Sequence, residues 1–362
     1  MKIMFYIGSI LRPGGAERVM SNLVNHFHEK GDIVLLVTDC NYSPKYIEYP
    51  LNHKIKRYNL DSESTHGKLK NIVRLYRLRK ATKKFCPDVI ISFMGPPNIR
   101  MLISSIGIRC KKIVSVRNDP YSEYGCGVRQ WFTNIVFLLS DGIICQTKKV
   151  YPYFGRVNQN RIKVIVNPIE KNFFDTEWVG DQKTIVCVGR LESQKNQELL
   201  LQAFTKIYRK VPSYMLMIYG DGSLKNYLEQ RSNEMGIKER TVFCGEVENI
   251  EDILARAGLF VLPSDFEGMP NALMEAMAVG VPCISTDCPV GGPAALMKGS
   301  MKKYLVACGD SNELAEKILS VLKLSEKERK CISSKIQKCA KTFSPDIVYG
   351  SWEDYLTETI GK

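Results

Sequence analysis

Two carboxylates eight residues apart, Glu267 and Glu275, flank a turn that could receive an anion. Residues 264–287 read S-D-F-E-G-M-P-N-A-L-M-E-A-M-A-V-G-V-P-C-I-S-T-D. The apolar run at 258–262 before them predicts a buried strand, and 283–286 predicts another. Between them a helix is expected, with Pro270 at its first position and Gly280 closing it. The start of such a helix aims backbone N–H groups, from about Asn271 and Ala272, past the strand end, where they attract an anion such as a phosphate. Met269 and Pro270 complete that turn. Glu275 lies about one and a half turns into the helix. A carboxylate beside a phosphate repels it, unless neighbouring sugar hydroxyls donate to its oxygens. Glu275 is therefore read as a ribose clamp and Glu267 as a contact to a second sugar. Either one alone would equally suit a solvated helix end.

A second loop carries the opposite charge. Residues 184–188 predict a strand, followed by G-R-L-E-S-Q-K-N at 189–196. Arg190 and Lys195 bracket this loop, and a helix is expected from about Asn196. Two cations, a glycine and a helix start suit a diphosphate; two solvated surface cations are the alternative. A third loop, S-I-L-R-P-G-G-A-E-R-V, follows a predicted strand at 3–8. Gly14 and Gly15 would let the backbone approach a ligand closely, or simply turn the chain into a helix reaching to about residue 28. The loop is not G-x-G-x-x-G, so the dinucleotide fingerprint is absent.

These loops need a scaffold of alternating strands and helices. Further strands are expected at 33–38, 88–93, 112–116, 142–145, 162–166 and 242–245, with residues 41–66 loop-like. The 362 residues suffice for two domains with separate cores. The expected division is 1–168 for a first Rossmann-like domain, 169–343 for a second, and a helix at 344–362; the polar stretch 171–183 reads as a linker. The class is α/β, with two nucleotide-type folds facing across a cleft. Gly220 and Gly222 are assigned to a structural turn. Apolar runs such as 131–139 are too short to span a bilayer. The N-terminus reads as a buried strand, not a signal peptide. Twelve scattered cysteines without C-x-x-C, and only four histidines, argue against zinc and disulfides and for a reducing cytoplasm.

The net charge of +13 is lopsided. Residues 1–170 hold 27 Lys/Arg against 12 Asp/Glu, whereas residues 171–362 hold 24 against 26. The basic half suggests an anionic partner. Within it, residues 67–87 hold eight Lys/Arg and no acid, and Leu69, Ile72, Val73 and Tyr76 recur at helical spacing. A basic amphipathic helix over 68–84 is a membrane-surface candidate. A solvated outer helix is the alternative.

The Glu267–Glu275 spacing followed by A-M-A-x-G-x-P-x-I-S-T-D resembles the nucleotide-sugar signature of retaining GT-B glycosyltransferases, the group 1 superfamily. The G-G-A-E and G-R-L-E-S-Q-K-N strings resemble its other ligand loops, so the resemblance spans nearly the whole chain. It implies two facing Rossmann-like domains, an interdomain cleft, and a final helix, with Ile347, Trp352, Tyr355 and Leu356, crossing back onto the first domain. It places the donor diphosphate near Gly14, Gly15, Arg190 and Lys195. The nucleobase would lie on backbone groups around Glu246 and Val247, and the Gly291-Gly292 loop near the diphosphate. Many members carry a histidine after the fourth strand. Here Arg117, Asn118 and Asp119 stand there, in S-x-R-N-D-P, which resembles a subgroup acting on lipid-linked glycans of bacterial surface polymers; Asp119 equally suits a turn.

The expected activity is retaining transfer of an N-acetylhexosamine or hexose from a UDP-sugar to a lipid-linked glycan, with Glu267, Arg190, Lys195 and Asp119 as catalytic candidates. No two Asp are two apart, so no D-x-D pair offers itself to a metal. Arg190 and Lys195 would neutralise the diphosphate instead, and no metal or cofactor is expected. The expected location is the cytoplasmic face of a bacterial membrane, in O-antigen or capsule synthesis. A UDP-sugar 2-epimerase of the same fold, or a non-catalytic sugar-nucleotide binder, is the alternative. A nucleic-acid binder is disfavoured because the basic helix carries a single aromatic, Tyr76, before its final Phe85.

Overall fold

The computed structural model describes residues 1–12, 14–39, 47–61 and 69–361. The chain forms two compact units, Met1–Asn167 with Val348–Lys362, and Pro168–Ile347.

The first unit runs β1 (Lys2–Ile7), α1 (Gly15–Glu29), β2 (Ile33–Thr38), β3 (Lys56–Asn59), α2 (Lys70–Phe85), β4 (Val89–Phe93), α3 (Gly95–Ser104) and β5 (Lys111–Ser115). It continues with α4 (Pro120–Tyr124), α5 (Val128–Phe137), β6 (Gly142–Cys145), α6 (Arg156–Gln159) and β7 (Ile162–Val164). The strands pair in parallel in the order β3-β2-β1-β4-β5-β6-β7. Parallel strands covered on both faces are apolar throughout: every residue of β4 and β6 is buried.

The second unit holds α7 (Lys171–Asp175), β8 (Thr184–Val188), α8 (Gln197–Ile207), β9 (Met215–Tyr219), α9 (Lys225–Glu234), β10 (Thr241–Gly245), α10 (Ile250–Arg256) and β11 (Leu259–Leu262). Then come α11 (Asn271–Val279), β12 (Cys283–Thr286), α12 (Gly292–Leu296), β13 (Leu305–Val306), α13 (Ser311–Leu322) and α14 (Glu326–Ala340). Its parallel sheet has the order β10-β9-β8-β11-β12-β13. The strand order reverses between β1 and β4 in one sheet and between β8 and β11 in the other. In open parallel sheets, ligands bind beyond the strand ends at such switch points.

α15 (Pro345–Ile360) returns the chain to the first unit. Val348, Trp352 and Leu356 lie one helical turn apart and enter the core with Phe5, Phe27 and Phe93. Trp352 is fully buried, whereas Ile347 is half exposed. Glu353 closes this docking through His26 at 2.7 Å and Lys30 at 2.9 Å.

Two expectations need correction. Part of the loop-like stretch 41–66 is β3, while 40–46 and 62–68 lie outside the described residues. β3 is an edge strand of polar K-R-Y-N, largely exposed, so it carries no apolar signature. The stretch 171–183 is not a free linker. Phe173 of α7 is buried, the Trp178 indole donates to the Ala257 carbonyl, and Val179 N–H donates to Ala255 O.

Candidate active site

In the second unit, the loops after β8 and β11 leave the two strands of the switch point and are tied together. Lys195 Nζ lies 2.5 Å from Glu267 Oε1, which also accepts from Ser264 Oγ at 2.7 Å. Gln194 Nε2 donates to the Phe266 carbonyl at 2.8 Å, and Asn196 Nδ2 to Asp265 Oδ1 at 2.7 Å. Asp265 N–H returns a bond to Gln194 O at 3.0 Å. Asn196 adopts a left-handed φ of 43°, caps α8 through its side chain and thereby fixes the loop's exit. On the other side, Thr286 Oγ1 and Cys288 Sγ donate to the Ser264 carbonyl, at 2.5 and 3.3 Å. Glu267 is thus held by both neighbouring strand ends and is 5% exposed.

The cations differ. Lys195 neutralises Glu267, so the buried carboxylate presents little net charge to a nearby phosphate. Arg190 is exposed and makes no ion pair among the described residues. Pro270 occupies the N-cap and α11 begins at Asn271, one residue later than expected, with no side chain capping its start. Met269 and Glu275 are buried, at 6% each; Asn271 and Ala272 are partly exposed. The Gly291-Gly292 loop packs against this turn: a Cβ on Gly292 would overlap the Gly268 carbonyl oxygen. Gly220 and Gly222 likewise abut the backbone of Gly189 and Leu191, so their turn supports the cationic loop. Glu246 and Val247 are exposed beyond β10, the edge strand of the sheet.

The remaining candidates belong to the first unit. Gly14 caps α1 and Gly15 begins it, just beyond β1 at the switch point. Asp119 caps α4, accepting from Tyr121 N–H and Ser122 Oγ, both at 3.0 Å. Those bonds give it the turn role.

More chemistry sits on either side of Asp119. The Arg117 guanidinium lies 3.8 Å from the Phe93 ring centroid and donates through Nη1 to Asn167 Oδ1 at 2.9 Å. Its Nε and Nη2 are buried without partners, as are Glu123 Oε2, Asn118 Oδ1 and Gln146 Oε1. Burial lowers the Arg117 pKa to about 9. Burial raises Glu123 to about 7, against its 2.5 Å bond from Gly95 N–H. Met94, beyond β4, holds a positive φ of 74° that non-glycine residues seldom adopt. Buried donors and acceptors without partners are uncommon, and here several of them fall within the short span 117–146. Glu123 escaped the sequence reading because nothing local distinguishes it. Among the described residues no three His, Cys, Asp or Glu gather as a metal site, and the eleven described cysteines are free.

Two family models match. Residues 168–338 match the one described as glycosyl transferases group 1, and residues 13–173 the one described as glycosyltransferase family 4. Over 99% of both chains, this protein is 27% identical to a Campylobacter jejuni enzyme. That enzyme is named GalNAc-alpha-(1->4)-GalNAc-alpha-(1->3)-diNAcBac-PP-undecaprenol alpha-1,4-N-acetyl-D-galactosaminyltransferase. It is 25% identical to the amylovoran biosynthesis glycosyltransferase AmsD of Erwinia amylovora, over 98% of this chain and 99% of that one. Among solved structures, Anabaena HepE in complex with UDP is similar with a TM-score of 0.82 and 18% identity, covering 99% of this chain and 100% of its own. Two parallel sheets, the tied loops at a switch point and two family models that between them run from residue 13 to 338 agree: the chain belongs to the GT-B glycosyltransferases, in the group 1 and family 4 lineage.

Proposed function

We propose that this glycosyltransferase moves an N-acetylhexosamine or hexose from a UDP-sugar to a lipid-linked glycan, with retention and without a metal, at the inner face of a bacterial membrane. One observation carries the reading: the Arg190–Lys195 loop and the Glu267–Glu275 segment are joined at adjacent strand ends by the Lys195–Glu267 contact. In this reading Arg190 and the α11 start hold the diphosphate. Glu275 grips the ribose, and Glu267, already neutralised by Lys195, accepts from hydroxyls of the transferred sugar.

The C1–O bond to the diphosphate breaks as the acceptor oxygen bonds to C1 on the same face. The acceptor proton passes to the departing phosphate oxygen. Stabilising that phosphate is then the main catalytic contribution, and no side-chain base is required. Asp119 takes no part in this chemistry; it caps α4 of the first unit. The UDP preference rests on the HepE complex, and the lipid-linked acceptor on the name of the Campylobacter relative.

Calorimetry with UDP, GDP and ADP in EDTA tests the site. Tight UDP binding that collapses in Glu275→Ala is expected; binding only with added metal would overturn metal independence. A UDP-sugar panel with undecaprenyl-diphosphate glycans then identifies the product, and the anomeric coupling of the new linkage reports retention. UDP-sugar turnover without acceptor would favour an epimerase instead.

A further inference from the structure

α5 carries an apolar face that the first unit leaves uncovered. Its inner side buries Thr133, Val136 and Phe137. Its outer side and the following turn expose Val128, Trp131, Phe132, Ile135, Leu138 and Leu139, by 81, 65, 49, 43, 46 and 42%. Single exposed apolar residues are ordinary. Six at i, i+3, i+4, i+7, i+10 and i+11 form a continuous stripe, which marks an interaction surface.

The surroundings say what covers it. Residues 124–169 contain six Lys/Arg and one acid, Asp141. The segments carrying these cations pack beside α5. Gln130 and Asn134 donate to the Tyr153 carbonyl, and Gly155 N–H donates to Asn134 Oδ1. This sets exposed Lys148 and Arg156 at the flank. A second copy would bring an equally basic rim against the first, whereas an anionic lipid surface complements both the charge and the apolar stripe. No helix among the described residues is long and apolar enough to cross a membrane, so the face lies in the interface rather than spanning it.

The basic helix is less suited to the task. Lys70 and Arg74 pair with Asp61, Arg77 donates to the Leu60 carbonyl, and Arg79 to those of Ser104 and Ile106. Half the cations of the 67–87 stretch thus stitch α2 to its own unit.

We infer that the outer face of α5 docks this chain onto an anionic phospholipid bilayer, with Trp131 at the headgroup level. The inference rests on the membrane-bound acceptor proposed above, not on the sugar-transfer chemistry.

Flotation of the full chain with phosphatidylcholine vesicles, with and without phosphatidylglycerol, tests it. Of the three tryptophans, Trp352 is fully buried and Trp178 is hydrogen-bonded within the second unit; the difference from Trp131→Phe isolates the exposed one. Partition into phosphatidylglycerol vesicles is expected, with a blue shift of Trp131 and quenching by brominated lipid. Trp131→Ser with Phe132→Ser should weaken partition at least tenfold, and Lys148→Glu with Arg156→Glu should weaken it selectively for the anionic vesicles. No partition, partition unchanged in the apolar double variant, or an unshifted Trp131 spectrum would overturn the inference. So would a lipid-free dimer that the double variant dissolves, which assigns the face to a second copy. UDP calorimetry on the same preparations separates the two readings: UDP binding without vesicle partition removes only the docking, and partition without UDP binding removes only the donor site.

Discussion

Arg190 and Lys195 share a loop and a charge, yet the structure gives them different work. Lys195 neutralises a buried carboxylate. Lys195→Ala leaves Glu267 charged and uncompensated in the interior, so it should cost about 3 kcal/mol of stability as well as UDP affinity. Arg190→Ala removes an exposed side chain and should stay within about 0.5 kcal/mol, while still losing UDP affinity. Urea midpoints alongside UDP calorimetry check both. Glu123 gives a pH signature. Its folded pKa of about 7 stands above that of an unfolded glutamate, about 4.3. Below pH 4 the group is protonated in both states and its ionisation costs folding nothing. Between about pH 4.3 and 7 only the unfolded chain sheds the proton, so stability falls as pH rises, levelling off above 7. The full difference is about 3–4 kcal/mol. Glu123→Gln should abolish that component when urea midpoints are measured from pH 4 to 8. The local part of this chemistry was legible in the chain: the Glu267–Glu275 spacing needs only one helix to interpret. The Lys195–Glu267 bond joins residues 72 positions apart, and only the parallel sheet brings their loops together.

Among the elements, α12 shows how one turn supports another. Because a Cβ on Gly292 would overlap the Gly268 carbonyl oxygen, Gly292→Ala must push back the 267–270 turn or its own helix. UDP affinity should fall at least tenfold while the thermal midpoint moves only a few degrees; calorimetry paired with a thermal scan would show it. Strands such as β4 and β11 announced themselves as short apolar runs, because both sheet faces are covered. β3 did not, since an edge strand needs no apolar residues to pair. α2 shows a limit of another kind. Leu69, Ile72 and Tyr76 have helical spacing, yet all three are exposed, and the buried face is Leu78, Ala81 and Thr82. Periodicity identified the helix correctly but could not say which side faced in, because Arg74, Arg77 and Arg79 satisfy internal acceptors and carry their aliphatic stems with them.

On the scale of the whole molecule, each sheet has its own core, and the first is finished by a helix from the far end of the sequence. Trp352→Ala would open a cavity between Phe93 and α1 and should destabilise the first unit by about 3–5 kcal/mol. The second unit should keep its own unfolding transition, which resolves the two in a denaturant titration followed by tyrosine and tryptophan emission. That arrangement also sets an order of events during synthesis. Chains usually acquire structure from the N-terminus as they leave the ribosome. Here all seven strands of the first sheet emerge early, while the slot for Val348, Trp352 and Leu356 stays unfilled until α15 is synthesised, far downstream of the last strand of that sheet, which ends at Val164. A chain halted before residue 348 therefore displays a greasy groove that α15 otherwise hides, giving folding helpers and proteases a direct readout of whether that helix has been made.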